Sequence, residues 1–150
     1  MALERTDPAL VNHVLAEHRA LFRSVGDLRA RLAAPRPPDA ATRAAVTREV
    51  EALRRHLADH FAREEAGGLL EESVARLPRL ATAAGAVIGE HAGLLARLDA
   101  VVARLARRGR HAWTAAGADF AAFAVAVRDH ERRETAIFEE GHVEDLGFDD

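Results

Sequence analysis

Residues 113–137 read WTAAGADFAAFAVAVRDHERRETAI, and their spacing decides the fold. Trp113, Ala116, Phe120, Phe123 and Val127 recur every three or four residues, which lays them along one stripe of an α-helix. The same spacing then lands on His130 and Glu134 before returning to Ile137. A helix that faces an apolar core therefore presents two ionisable groups to that core.

The pattern recurs in three other segments. From Pro8 to about Ala33, the stripe Val11, Val14, Leu21, Val25, Leu28, Leu32 has its gap at His18. From Asp39 to about Ala66, Val46, Val50, Leu53 and Leu57 lead into His60 and Glu64. From Leu80 to about Arg107, the stripe Ala84, Val87, Leu94, Leu98, Val101, Leu105 is interrupted by His91. The punctuation between segments agrees with four helices, over about 8–33, 39–66, 80–107 and 111–140. Thr6-Asp7-Pro8 supplies a start, Pro35-Arg36-Pro37-Pro38 a break, Asp39 a cap, Gly67-Gly68 a stop and Arg108-Gly109-Arg110 a turn. The stretch from Gly67 to Pro78 reads as a long connection containing at most a helical turn. All-α architecture follows, as an up-down-up-down antiparallel four-helix bundle.

The halves of the chain repeat. Glu17-His18 corresponds to Glu90-His91, and Asp59-His60 with Glu64 corresponds to Asp129-His130 with Glu134. His18 and His60 are 42 residues apart, His91 and His130 39 apart, and the midpoints between successive polar positions fall at or near the loops. An antiparallel bundle thus brings all four polar levels to one height, with pseudo-two-fold symmetry.

Composition bounds the rest. A chain of 150 residues, 49% hydrophobic and 30% charged, suits a single soluble domain spanning 1–150. Its formal charge of −3 argues against nucleic-acid binding. The lack of cysteine excludes disulfides, iron–sulfur clusters and thiolate zinc sites, and tyrosine is absent too, so any metal is held by histidine and carboxylate. No apolar run is long enough to span a membrane, and the N-terminus has no export-signal pattern, which makes a cytoplasmic protein the expectation.

Two glutamates and four histidines buried without partners would cost several kcal/mol each or be forced neutral. Cations remove that penalty, and histidine and glutamate four apart on a helix reach an ion together. The expected ligands are His18, His60, Glu64, His91, His130 and Glu134. Mixed imidazole and carboxylate donors favour iron or manganese over zinc, and the expected cofactor is two iron ions joined by the glutamates and an oxo or hydroxo bridge. A ferritin-like site is disfavoured, since its Glu-x-x-His pattern occurs only at Glu139–His142, across Gly141. His56, one turn before His60, is a weaker ligand candidate. His13, His111 and His142 read as surface residues, Asp59 and Asp129 as solvated, and Trp113, Phe120 and Phe123 as core. Acceptors for the remaining imidazole N–H groups are expected but not identified by the sequence.

The sequence resembles the hemerythrin or HHE cation-binding family through EHRALF at 17–22, HFAREE at 60–65, EHAGLL at 90–95 and HERRET at 130–135. The likeness extends over about residues 10–140. In oxygen-carrying hemerythrins the third helix supplies a second histidine four residues after the first, and here Leu95 stands in that place. The remaining donor set is more similar to that of di-iron proteins implicated in iron–sulfur cluster repair and nitric oxide response, whose N-terminal cysteine domain has no counterpart here. This resemblance implies a protein that binds oxygen, peroxide or nitric oxide, with redox turnover of peroxide or nitric oxide favoured over reversible oxygen storage. A non-enzymatic sensor or iron store is the alternative, and no protein partner is indicated.

Overall fold

The computed structural model describes residues 8–36 and 38–142 and is helical throughout, with no strand among them. Helix α1 spans Pro8–Leu32, α2 Ala40–Glu65, α3 Leu69–Arg76, α4 Ala81–Gly89, α5 His91–Leu105 and α6 Arg110–Gly141, with a short 3-10 turn at Pro78–Leu80. The cap expected at Thr6 and Asp7, and Pro37 of the proline break, lie outside the described residues. Helices α4 and α5 act as one rod tightened at Glu90, which keeps right-handed backbone angles (φ −84°, ψ −16°) and accepts from Leu94 N–H. Four rods, α1, α2, α4–α5 and α6, form the antiparallel bundle.

Local chemistry sets the ends. The Asp39 carboxylate accepts from Thr42 N–H at 2.7 Å, filling one of the donors that a helix start leaves open. Gly67 stops α2 at φ +109°, a left-handed angle that glycine adopts without Cβ strain. The Trp113 indole donates to the Ala34 carbonyl at 3.0 Å, tying the start of α6 to the α1–α2 connection.

Two apolar cores result. The larger unites Leu21–Leu32 of α1, Val46–Phe61 of α2, Leu94–Leu105 of α5 and Trp113–Val127 of α6. The smaller gathers Val11, Leu69, Leu70, Ala84, Val87 and Phe138 at the other end of the bundle. His18, His60, His91 and His130 form the polar layer between them. The smaller core depends on α3, where the sequence suggested at most a helical turn. Leu69, Leu70 and Ser73 are buried there, a stripe too short for periodicity to reveal. Helix α3 also buries His142, against the surface role read for it. The His142 Nδ1 lies 3.0 Å from the Phe138 carbonyl and 3.3 Å from Ser73 Oγ, whose own proton goes to the Leu69 carbonyl.

Helix packing is closest at Gly117, where an added Cβ would stand 2.6 Å from the Leu32 carbonyl oxygen, a backbone atom that cannot swing away. Gly117→Ala should therefore destabilise the bundle by about 1–2 kcal/mol despite its better helix propensity. Gly85, in α4, has open space around it, so Gly85→Ala should stabilise by about 0.5–1 kcal/mol. Thermal melts of the two variants should move in opposite directions.

Candidate metal centre

The polar layer draws on every rod. His18 comes from α1, His60 and Glu64 from α2, His91 from the first position of α5, and His130 and Glu134 from α6. The structure brings all six together, in two groups whose donor atoms lie within 4.8 Å of one another. One group is His18, His60, Glu134 and, in addition, Glu131; the other is Glu64, His91 and His130.

The two glutamates named from sequence each span the groups. Glu64 places Oε1 2.5 Å from His60 Nε2 and Oε2 3.2 Å from His91 Nε2. Glu134 places Oε1 3.7 Å from His18 Nε2 and Oε2 3.5 Å from His130 Nε2. That arrangement is the one a carboxylate bridging two ions requires. The four imidazole Nε2 atoms and all six oxygens of Glu64, Glu131 and Glu134 are buried, and none makes a hydrogen bond. Buried polar atoms ordinarily have partners, so a cluster of orphaned acceptors and ring nitrogens converging on one place fits a cation.

Carboxylates outside the cluster orient the imidazoles. His91 Nδ1 is 2.9 Å from Glu65 Oε1, His130 Nδ1 is 3.1 Å from Glu90 Oε2, and His60 Nδ1 is 3.6 Å from Glu17 Oε2. With the Nδ1–H of His91 and His130 donating outward, their Nε2 lone pairs face the cluster, the tautomer a metal ligand needs, while Glu17 acts on His60 through charge alone. Glu90 is itself gripped by Arg133, with Nη2 2.7 Å from Oε2. The repeated Glu-His pairs thus acquire a meaning: Glu17 and Glu90 each serve the histidine of the next rod, not the one beside them.

Electrostatics in the absence of a cation follow from burial. Burial pushes the Glu134 carboxyl up to about 11, assisted by the charges of Glu131 and Glu64. Burial acts the same way on Glu64, but His60 and His91 outweigh it and hold this carboxylate well below its usual range. Burial would lower His60 and His91, yet their carboxylate neighbours, Glu64 first, raise both. His130 moves the other way, because burial exceeds the pull of Glu90. Arg133 keeps Glu90 ionised below the ordinary carboxylate range.

The sequence reading missed Glu131, Glu65, Glu90 and Glu17 as members or supports of the site. A signal for Glu131 exists: its counterpart in the other half is Phe61, so the repeat breaks there. His56 is exposed in a groove between α1 and α2 and belongs to neither group. His13 and His111 are exposed, as are Asp59 and Asp129. A cleft of about 480 Å³ reaches His60, Glu64 and Glu134 from outside, with Leu10, Val14 and Phe138 on its walls.

Fold and site together define a helical bundle with a buried histidine–glutamate cation site. The hemerythrin HHE cation binding domain matches residues 9–140, and the chain belongs to that family. No curated protein and no solved structure matches the chain. Among the described residues, no helix is long and apolar enough to cross a membrane.

Proposed function

We propose that this chain is a single-domain, cytoplasmic, non-haem di-iron protein that binds oxygen, peroxide or nitric oxide and consumes peroxide or nitric oxide in redox or nitrosative stress. Its ligands are His18, His60, Glu64, His91, His130 and Glu134, with Glu64 and Glu134 bridging. The observation that carries this reading is the span of those two glutamates, each touching one histidine of either group while all their oxygens lack hydrogen-bond partners. Harder cations suit bridging carboxylates, and imidazole suits iron, which favours iron over zinc. Bound iron would supply reversible one-electron chemistry and exchangeable coordination for a small ligand. The protein's own part is to hold the donors in register through Glu65, Glu90 and Glu17. It also shields the layer with apolar cores above and below, and leaves a cleft wide enough for a diatomic or peroxide.

Metal analysis of protein purified without an affinity tag tests the site, and about two irons per chain is the expected result. Mixing the anaerobic ferrous protein with oxygen, peroxide or nitric oxide, followed by visible spectroscopy, tests the activity. Turnover of peroxide or nitric oxide supports consumption; a stable, fully reversible oxygen adduct without turnover supports the non-enzymatic sensor or storage reading instead.

Cation uptake should release protons. At pH 7 the Glu134 carboxyl, raised to about 11, carries a proton that a bridging ligand must lose, and raised His60 and His91 must be neutral to coordinate. Affinity therefore rises with pH across neutrality and weakens steeply on acidification. Adding ferrous ion to weakly buffered apoprotein should acidify an indicator by at least one proton per chain, and a null signal would contradict the assignment.

A further inference from the structure

The pseudo-two-fold repeat fails at one place inside the site. His60 and His130 occupy equivalent positions, as do Glu64 and Glu134, but the residue following each histidine is Phe61 in one half and Glu131 in the other. Phe61 lies flat against His91, with centroids 3.8 Å apart and planes 5° from parallel, and meets the His130 ring edge-on at 5.5 Å. Glu131 instead turns into the opposite group. Its Oε2 is 3.0 Å from His18 Nε2 and its Oε1 3.9 Å from His60 Nε2.

Glu131 is only 1% exposed, and neither oxygen makes a hydrogen bond. A carboxylate so enclosed needs a cation or a proton. Both oxygens address histidines of the same group, so Glu131 does not span the site as Glu64 and Glu134 do. It is placed as a donor to one side alone.

Resting on the paired-cation reading above, we infer that Glu131 makes the two positions unequal. The His18–His60–Glu131–Glu134 position has four protein residues of its own group and an extra negative charge, so it fills first and holds its ion more tightly. The Glu64–His91–His130 position, where an apolar ring stands in place of the extra carboxylate, fills second.

Anaerobic titration of the full-length apoprotein with ferrous ion against a chromogenic chelator tests this. The unsubstituted protein should take up two ions in two resolved steps at least about tenfold apart. Glu131→Gln should weaken the tighter step by roughly 10- to 100-fold and leave the weaker one near its original value. Independently of any variant, crystals given one equivalent of ferrous ion should show anomalous scattering at the His18–His60 position. Two equal steps with an unchanged Glu131→Gln titration, or equal occupancy of both positions at one equivalent, would overturn the inequality while leaving the paired site standing. Failure of the unsubstituted protein to bind two ions would overturn the underlying reading itself.

Discussion

Glu134→Gln yields an apoprotein that melts higher than the unsubstituted chain and a protein that no longer retains two cations. Both effects have one origin. Glu134 is fully buried, and without a cation burial and two neighbouring carboxylates push its carboxyl to about 11. In the unfolded chain it titrates near 4.5. The sign follows: a carboxyl raised on folding keeps its proton in the native state, so folding is penalised increasingly as pH climbs above the unfolded value. At pH 7 only the gap between 4.5 and 7 counts, and at about 1.4 kcal/mol per pH unit the penalty is roughly 3 kcal/mol. Glutamine has nearly the same shape and no proton to hold, which removes that penalty and raises the melting temperature by on the order of 10 °C. The gain should shrink toward zero as the melts are repeated down to pH 4.5. The metal-bound comparison runs in reverse, because glutamine cannot bridge two ions as a carboxylate. Affinity should fall by at least about 100-fold, read by chelator competition. A variant less stable as apoprotein, or one with unchanged affinity, would remove Glu134 from the centre.

The legibility of this site in the sequence had a physical limit. Periodicity reports which side of a helix faces the core, so polar residues interrupting a stripe at His18, His60, His91 and His130 stood out, and the i to i+4 glutamates lay on the same stripe. Glu131 did not, since about 100° of rotation separates it from His130 and it is followed by Arg132 and Arg133, the pattern of a solvated face. Only the packing of α1 across that flank buries it, and sequence spacing within α6 carries no record of α1. Helix α3 escaped for a different reason. Eight residues give two turns, too few for a stripe to be distinguished from a loop, and the Gly67-Gly68 pair ahead of it reads as punctuation. The burial of His142 follows from α3 and was hidden with it. The supporting carboxylates were visible as repeated Glu-His pairs, but which histidine each serves is settled only by the crossing of neighbouring rods.

That crossing ranks the supports and leads to the second large effect. Glu90→Ala should weaken cation binding by roughly 10- to 100-fold, whereas Glu17→Ala should weaken it by only a few-fold. Distance decides the order. His130 Nδ1 and Glu90 Oε2 are 3.1 Å apart, a hydrogen bond, while His60 Nδ1 and Glu17 Oε2 stand at 3.6 Å, beyond one. Glu90 is also fixed on its far side by Arg133, which keeps it ionised and directed at His130. Without Glu90, the His130 ring loses the acceptor that selects its tautomer, and Arg133 keeps only its pairing with the exposed Asp129 at 3.2 Å. Glu90→Gln should fall between, because the amide oxygen still accepts the Nδ1 proton but no longer offsets the charge. Chelator competition for ferrous ion measures the ranking, and 15N shifts of the His130 ring in the apoprotein report the tautomer separately. If Glu17→Ala proved as damaging as Glu90→Ala with the His130 tautomer unchanged, orientation through Glu90 would not be how the centre holds its ions.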